Sequence, residues 1–382
     1  MNNITIDKTG WKKWRFDEFT QNISERVEPS QTDMDVYVGL EHIDPDTLHL
    51  SRHGPPSDEE GTKLRFYKGD VIFGRRRAYQ RKTALATTDG ICSAHAMVLH
   101  AKEEVVDPSF FPFLFHSKQF IDMAITISVG GLSPTINWKD ISKQEFLLPP
   151  KSEQKRLAEL LWAADEMIEK EKKELETLEE LLEAYMYHNF NIPNCNAKLN
   201  DCITGIIGGG TPNTKKEECF CNSDGIPWIT SISLEPIYIS EGERFITTLG
   251  VKESAVNILP EGNVIIGTRV GVGKCSINNV AMCFSQDSTG IIINKDIVDP
   301  IYLLFNLRSV NCKKYFKSHS RGTTIQGITK EDLLKMPIFI PTMQMQLLVS
   351  EKCVNMVNSI DTTKGILQQS QKIKQELINQ IF

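Results

Sequence analysis

The chain has 382 residues, of which 40% are apolar and 24% charged, with a formal net charge of −6. That length is too great for one core and suits two or three domains, and the composition excludes a collagenous or wholly disordered chain. No apolar run approaches the roughly 18 residues that cross a bilayer, and no hydrophobic signal region opens the chain, so a cytoplasmic location is expected. The nine cysteines are scattered, and the nearest pair is Cys219 and Cys221. This is neither a zinc nor a disulfide framework.

Residues 1–150 predict a mixed α/β body. Strand-like runs begin at Val36, Asp70, Ala94 and Glu145, and PSFFPFLFHSKQFI after Asp107 predicts a helix. The strand ending at Gly74 is followed by Arg75, Arg76, Arg77, Arg81 and Lys82, five cations within eight residues. A basic loop at a strand end can grip phosphates, and one Arg can reach a guanine edge; a merely solvated loop is the alternative. Gly131, Ser133, Thr135 and Asn137 form a small polar loop. It is either a DNA contact or an ordinary turn. His42, His49, His53, His95, His100 and His116 lack metal-ligand spacing, so structural or surface roles and no metal are expected.

Residues 151–190 predict a helix. Leu157, Leu161, Ala164, Ile168, Leu175, Leu178 and Leu182 recur at three, four or seven, and Glu171 and Glu174 interrupt the seam. Ser152 is the expected N-cap after Pro149-Pro150. About 40 helical residues span roughly 60 Å, and such a stripe needs a partner.

Residues 191–341 predict a second body with strands in GIPWITSI, NVIIGTRV and GIIINKD. Thr211, Asn213 and Lys215 lie in a Gly-rich loop, with Thr230 further on. Trp228 reads as core, with base stacking as the alternative. Thr268, Arg269 and Lys274 take the place of the first body's arginine loop. GTRVGVGKC lacks phosphate-loop spacing, and Cys275 stands where a hydroxyl is needed. Arg321, Thr323, Thr324 and Gln326 form the counterpart of the polar loop, and Gln can pair with adenine. Residues 342–382 predict a second helix through Ile360, Leu367 and Ile373.

The segments repeat at a period near 192 residues. Asp107-Pro108 matches Asp299-Pro300, Gln154 matches Gln346, and Phe190 matches Phe382. Slightly off that register, KGDVIFG resembles EGNVIIG, and Thr135-Ile136 resembles Thr324-Ile325. The expected fold class is therefore α/β (α+β): two globular bodies, 1–150 and 191–341, in a pseudo-twofold internal duplication. Two long antiparallel coiled-coil helices, 151–190 and 342–382, join them, with Leu157, Leu161, Ile168, Leu175, Ile360, Leu367 and Ile373 packing the rod. Charge is distributed unevenly along this plan. Residues 61–100 hold 8 basic and 2 acidic side chains and 300–340 hold 7 and 2, whereas 151–190 hold 6 and 11. Local patches set the field a polyanion feels.

With its body-tail-body-tail plan, LLPPKSEQKRLAELL from Leu147, YVGLEHIDPDTLHL from Tyr37 and GGGTPNT from Gly208, the chain resembles the specificity subunit of type I restriction-modification systems. The resemblance covers essentially the whole chain; the second junction, FIPTMQMQLLVSE, departs from the family pattern in lacking the double proline. It implies two target recognition domains, each reading one half of a bipartite double-stranded DNA target. It also implies two methyltransferase (modification) and two restriction/translocase partners, with S-adenosylmethionine, ATP and Mg held by those partners and no cofactor in this chain. No intrinsic catalysis is expected: the amino-methyltransferase tetrapeptide is absent, and Glu153-Gln154-Lys155 opens a helix without a partner acid. A stand-alone DNA-binding regulator and a coiled-coil assembly adaptor are the alternative readings.

Overall fold

In the computed structural model the structure describes residues 6–190, 195–322 and 327–382. The chain divides into two compact units, Met1–Lys172 with Gly365–Phe382 and Lys173–Lys364. Each unit holds one α/β body and half of each long helix.

In the first unit, an antiparallel sheet runs in the order Thr20–Ile23, Ala96–Ala101, Val71–Gly74, Thr83–Leu85. A second sheet runs Arg26–Val27, Lys63–Phe66, Gly90–Cys92, Tyr37–Val38, and its last pair is parallel. Val38, Phe66, Ile72 and Val98 bury one face of the first sheet against the second. A separate strand pair, Lys12–Arg15 with Glu145–Leu148, closes the body. A phenylalanine-rich core of Phe16, Phe19, Phe111, Phe115, Phe120 and Phe146 lies beneath it. The helix expected after Asp107 is broken into Phe111–Leu114 and Lys118–Thr126, because Ser117 accepts from the Phe120 amide and caps a new start.

The second unit repeats this plan. Its larger sheet runs Ile203–Gly208, Ser288–Ile293, Val264–Gly267, Cys275–Asn278, Tyr238–Ile239. A smaller sheet runs Phe220–Cys221, Arg244–Ile246, Ile226–Ile229, Cys283–Phe284, and Ala197–Lys198 pairs with Pro337–Ile338. Helices Pro300–Arg308 and Val310–His319 follow, the second capped by Ser309.

The duplication extends to single hydrogen bonds. Gln154 accepts from the Asp107 amide at 2.7 Å and donates to the Val105 and Pro149 carbonyls at 3.1 and 2.8 Å. Gln346 accepts from the Asp299 amide at 2.9 Å and donates to the Ile297 and Pro341 carbonyls, both at 3.0 Å. Both glutamines are 1% exposed. Each clamps the first turn of its long helix to the loop before the body's helices.

The long helices are Lys151–Asn189 and Met343–Ile381. Ser152 is not the N-cap of the first: the Glu153 and Gln154 amides already donate to the Pro150 carbonyl, which places Ser152 inside the helix. Within the first unit, Leu157 and Leu161 share a core with Ile378, Ile381 and Phe382. Further along, Lys374 pairs with Asp165, and Ser370 donates to Glu171 at 3.0 Å. Numbers rise on one helix as they fall on the other, so the segments are antiparallel. The second unit does the same: Glu179 pairs with Lys364 at 2.8 Å, and Met186 and Phe190 share a core with Val349 and Cys353.

Leu157, Leu161, Ile168 and Ile360 are buried, and Leu175 and Leu367 half-buried. Ile373 is not a packing residue. It is 46% exposed, because Lys374 occupies the seam opposite Asp165 and the preceding residue points about 100° away.

Candidate nucleic-acid interface

The strand Val71–Gly74 is apolar and fully buried, so its hydrogen-bonded neighbours fix where residue 75 emerges. From there the chain joins a second segment. The Ile136 amide donates to the Arg75 carbonyl at 3.0 Å, Arg76 bridges Thr135, and the Arg77 amide donates to the Pro134 carbonyl at 2.8 Å. The arginine loop and the loop of Gly131, Ser133, Thr135 and Asn137 are therefore one structure. Ser133 Oγ accepts from both guanidinium groups, Arg76 at 3.2 Å and Arg77 at 3.1 Å. Arg77 adopts φ +57°, a left-handed backbone uncommon for a side chain of its size.

His95, which the sequence places only among the histidines with structural or surface roles, completes this surface. Its Nε2 lies 3.2 Å from Arg76 Nη1, and its carbonyl accepts from the Arg76 amide. Burial, then the charges of Arg76 and Arg75, hold the imidazole below its ordinary pKa. Neutral Nε2 can then accept from the guanidinium. Arg75 lines a recess of about 380 Å³ with Arg26, Lys63, Asn22, Ser24 and Trp138, and its Nε is buried without a partner among the described residues.

Two predicted cations are turned inward. Arg81 pairs with Asp46 and donates to the His116 carbonyl and Gln375 Oε1, both at 3.2 Å; Lys82 donates to the Leu40 carbonyl. Their charge is taken up by protein oxygens. Asn137 starts the short helix Trp138–Ile141 and faces Asp140 at 3.5 Å.

In the second unit the same frame carries different side chains. The Ile328 amide donates to the Thr268 carbonyl at 2.9 Å, so Ile328 is the counterpart of Ile136. The sequence pairing of Thr135-Ile136 with Thr324-Ile325 is thereby replaced by one at the 192-residue period. Arg269 is the counterpart of Arg76. With Arg321 and Asp287 it lines a recess of about 450 Å³. Arg321 and Gly327 exchange backbone hydrogen bonds of 2.8 and 2.9 Å, and the Arg321 guanidinium lies 3.2 Å from Asp332. Thr323, Thr324 and Gln326 lie outside the described residues.

Asp287 occupies the place of His95: the strand pairing sets Ala96 opposite Gly74 and Ser288 opposite Gly267. Thr268 is buried, its hydroxyl on the Asp287 carbonyl at 3.2 Å, and it supports the loop from beneath. Thr211 donates to Gln286, next to Asp287, at 2.5 Å. Asn213 turns back to the Lys215 amide at 3.1 Å, and Lys215 is exposed. Lys274 pairs with Glu235, and Thr230 donates twice to Glu243, so neither is brought to the Arg269 recess by its bonds. Trp228 is core, its indole donating to the Gly210 carbonyl at 2.9 Å. No sequence signal could have found His95 or Asp287, since strand pairing alone brings them to the arginines.

Among the described residues, no helix is long and apolar enough to cross a membrane. The family model for the type I restriction modification DNA specificity domain matches twice, over residues 57–180 and 196–372. The specificity subunit of the MjaIX type I restriction enzyme of Methanocaldococcus jannaschii is 31% identical over 188 residues, which are 48% of this chain and 43% of that protein. The chain thus spans less than half the length of that relative. The EcoDI specificity subunit of Escherichia coli is 30% identical over 42% of this chain and 37% of its own. Among solved structures, the S subunit of a type I restriction-modification system from M. genitalium aligns with a TM-score of 0.62 at 13% identity, covering 100% of this chain and 97% of that one. A chain from a study of complex assembly and conformational transition of the type I R-M system aligns at 0.63 and 18% identity, over 98% and 97%. These two likenesses concern the fold. With the family model covering most of its length in two copies, the chain belongs to the type I restriction modification DNA specificity family.

Proposed function

We propose that this chain selects the DNA sequence on which a type I restriction-modification complex acts, and carries no catalytic step itself. The bodies within 1–150 and 191–341 are its target recognition domains, each reading one half-site, and 151–190 and 342–382 are its spacer helices. Its partners are double-stranded DNA, two methyltransferase subunits and two restriction/translocase subunits. S-adenosylmethionine, ATP and Mg belong to those partners, and the complex works in the cytoplasm.

The observation that carries this reading is the paired placement of Arg76 and Arg269. Each emerges from the end of an equivalent buried strand, and each is held by a backbone bond to an equivalent partner segment. Guanidinium groups at such a rim grip phosphates and reach guanine O6 and N7. A rigid strand end gives them the placement that base reading needs.

Electrophoretic binding of the full chain, alone and with its methyltransferase partner, tests the reading. Sequence-specific binding is expected, with adenine methylation only when the partner is present. Methylation by this chain alone would defeat the non-catalytic role, and absence of DNA binding in the complex would favour an assembly adaptor.

A further inference from the structure

Next to Ser133, whose hydroxyl accepts from Arg76 and Arg77, stands Leu132. It is 95% exposed, and Val129 on the same hairpin is 65% exposed. The hairpin is well defined at its base: the Val129 and Thr135 amides each donate to the other's carbonyl at 3.0 Å. Gly130 makes the turn at φ +121°, a conformation that L side chains rarely adopt. Arg76 and Arg77 pin the tip through Ser133 Oγ. An apolar side chain is thus held out into water, with cations on its flank. Among the described residues of the first unit, nothing covers it.

That juxtaposition suits one class of partner. A polyanion attracts the guanidinium groups, and duplex DNA hides an apolar interior, the base stack, directly behind its phosphates. Proteins that enter a base step do so with Leu, Ile, Met, Phe or Pro placed beside phosphate-gripping cations. We propose that Leu132 is an apolar wedge that enters a base step within the half-site read by the first body, unstacking it while Arg76 and Arg77 hold the flanking phosphates. Pyrimidine–purine steps, which unstack most readily, are the expected target. The inference rests on the DNA-reading role proposed above and adds the mode of contact.

The test uses the full chain and a duplex of the target found by mapping methylation in the native genome, with 2-aminopurine placed at successive positions. The unsubstituted chain is expected to raise the fluorescence at one step of one half-site. Leu132→Ala should lose that rise while weakening affinity by about tenfold or less and leaving the salt dependence unchanged, because no phosphate contact is removed. Leu132→Phe should restore it. An exposed tip residue leaves folding intact, so a rise that persists in Leu132→Ala overturns the wedge. Salt-dependent binding without a rise at any step overturns it too, and leaves the DNA-reading role standing. No salt-dependent binding by the unsubstituted chain, either alone or with its methyltransferase partner, overturns both.

Discussion

In the first body, the strand end carries Arg75, Arg76 and Arg77 against His95; in the second, the same place carries Thr268, Arg269 and Val270 against Asp287. Beneath these loops, the glutamine clamps of the two bodies are the same to within 0.2 Å in each hydrogen bond. A buried, fully bonded frame tolerates little change, because any lost partner leaves a desolvated polar group. The rim carries no such constraint and can diverge. The first rim offers chiefly donors, suited to phosphates and guanine. The second sets a carboxylate among two guanidinium groups, and a carboxylate accepts from the cytosine amine.

The helical halves differ in the same way. In the first unit Asp165 meets Lys374; their counterparts at the 192-residue period, Val357 and Leu182, pack on the apolar core of the second. Lys374→Met is therefore expected to cost the first unit about 3 kcal/mol, the low end for breaking a buried pair, since it leaves the buried Asp165 carboxylate with only the half-exposed His49 as an ionic partner. Denaturant unfolding measures this. Replacing the pair by the second unit's residues, Asp165→Val with Lys374→Leu, should recover most of the loss.

At the rim, Arg76→Ala with Arg77→Ala should weaken DNA binding about 100-fold and shrink the slope of log affinity against log salt by about 2, as two phosphate contacts would. A titration at several salt concentrations reads both. Gln154→Ala and Gln346→Ala should each cost about 2 kcal/mol by orphaning one amide and two carbonyls; unequal losses in thermal unfolding would break the equivalence of the frames. His95→Asp places a carboxylate beside the Arg76 guanidinium, competes with phosphate for it, and should lower affinity about tenfold, the size of one charge-assisted hydrogen bond.

The smallest effect is a pH dependence confined to the first unit. The hydrogen bond that His49 donates to the Asp165 carboxylate raises the His49 pKa above its ordinary 6.5, against an opposing effect of burial. Burial favours a higher pKa for Asp165, yet the bonds from His49 and Lys374 hold it at about 2. The His49 contribution is full below pH 6.5 and is lost as pH rises through the raised value. The Asp165 contribution is present above pH 3.8 and is lost as pH falls toward 2. His49 is 43% exposed, so its share should stay under about 1 kcal/mol. His49→Asn should flatten the thermal midpoint between pH 6 and 9.

Much of this molecule is legible in short stretches of chain. The long helices follow from apolar residues spaced at three and four, the duplication from Gln154 and Gln346 at one period, and the first arginine loop from five cations crowded after a strand. Each is a pattern of near neighbours. Tertiary packing settled the rest. Arg81 and Lys82 look like Arg76 and Arg77 in the sequence, yet Asp46, Gln375 and the Leu40 carbonyl turn them inward. Ile373 fits the apolar repeat but yields the seam to Lys374, because Asp165 lies opposite. His95 and Asp287 reach the rims only through strand pairing. Side-chain direction depends on the partner across the fold, and that partner is chosen by a core assembled from distant segments, which no local spacing records.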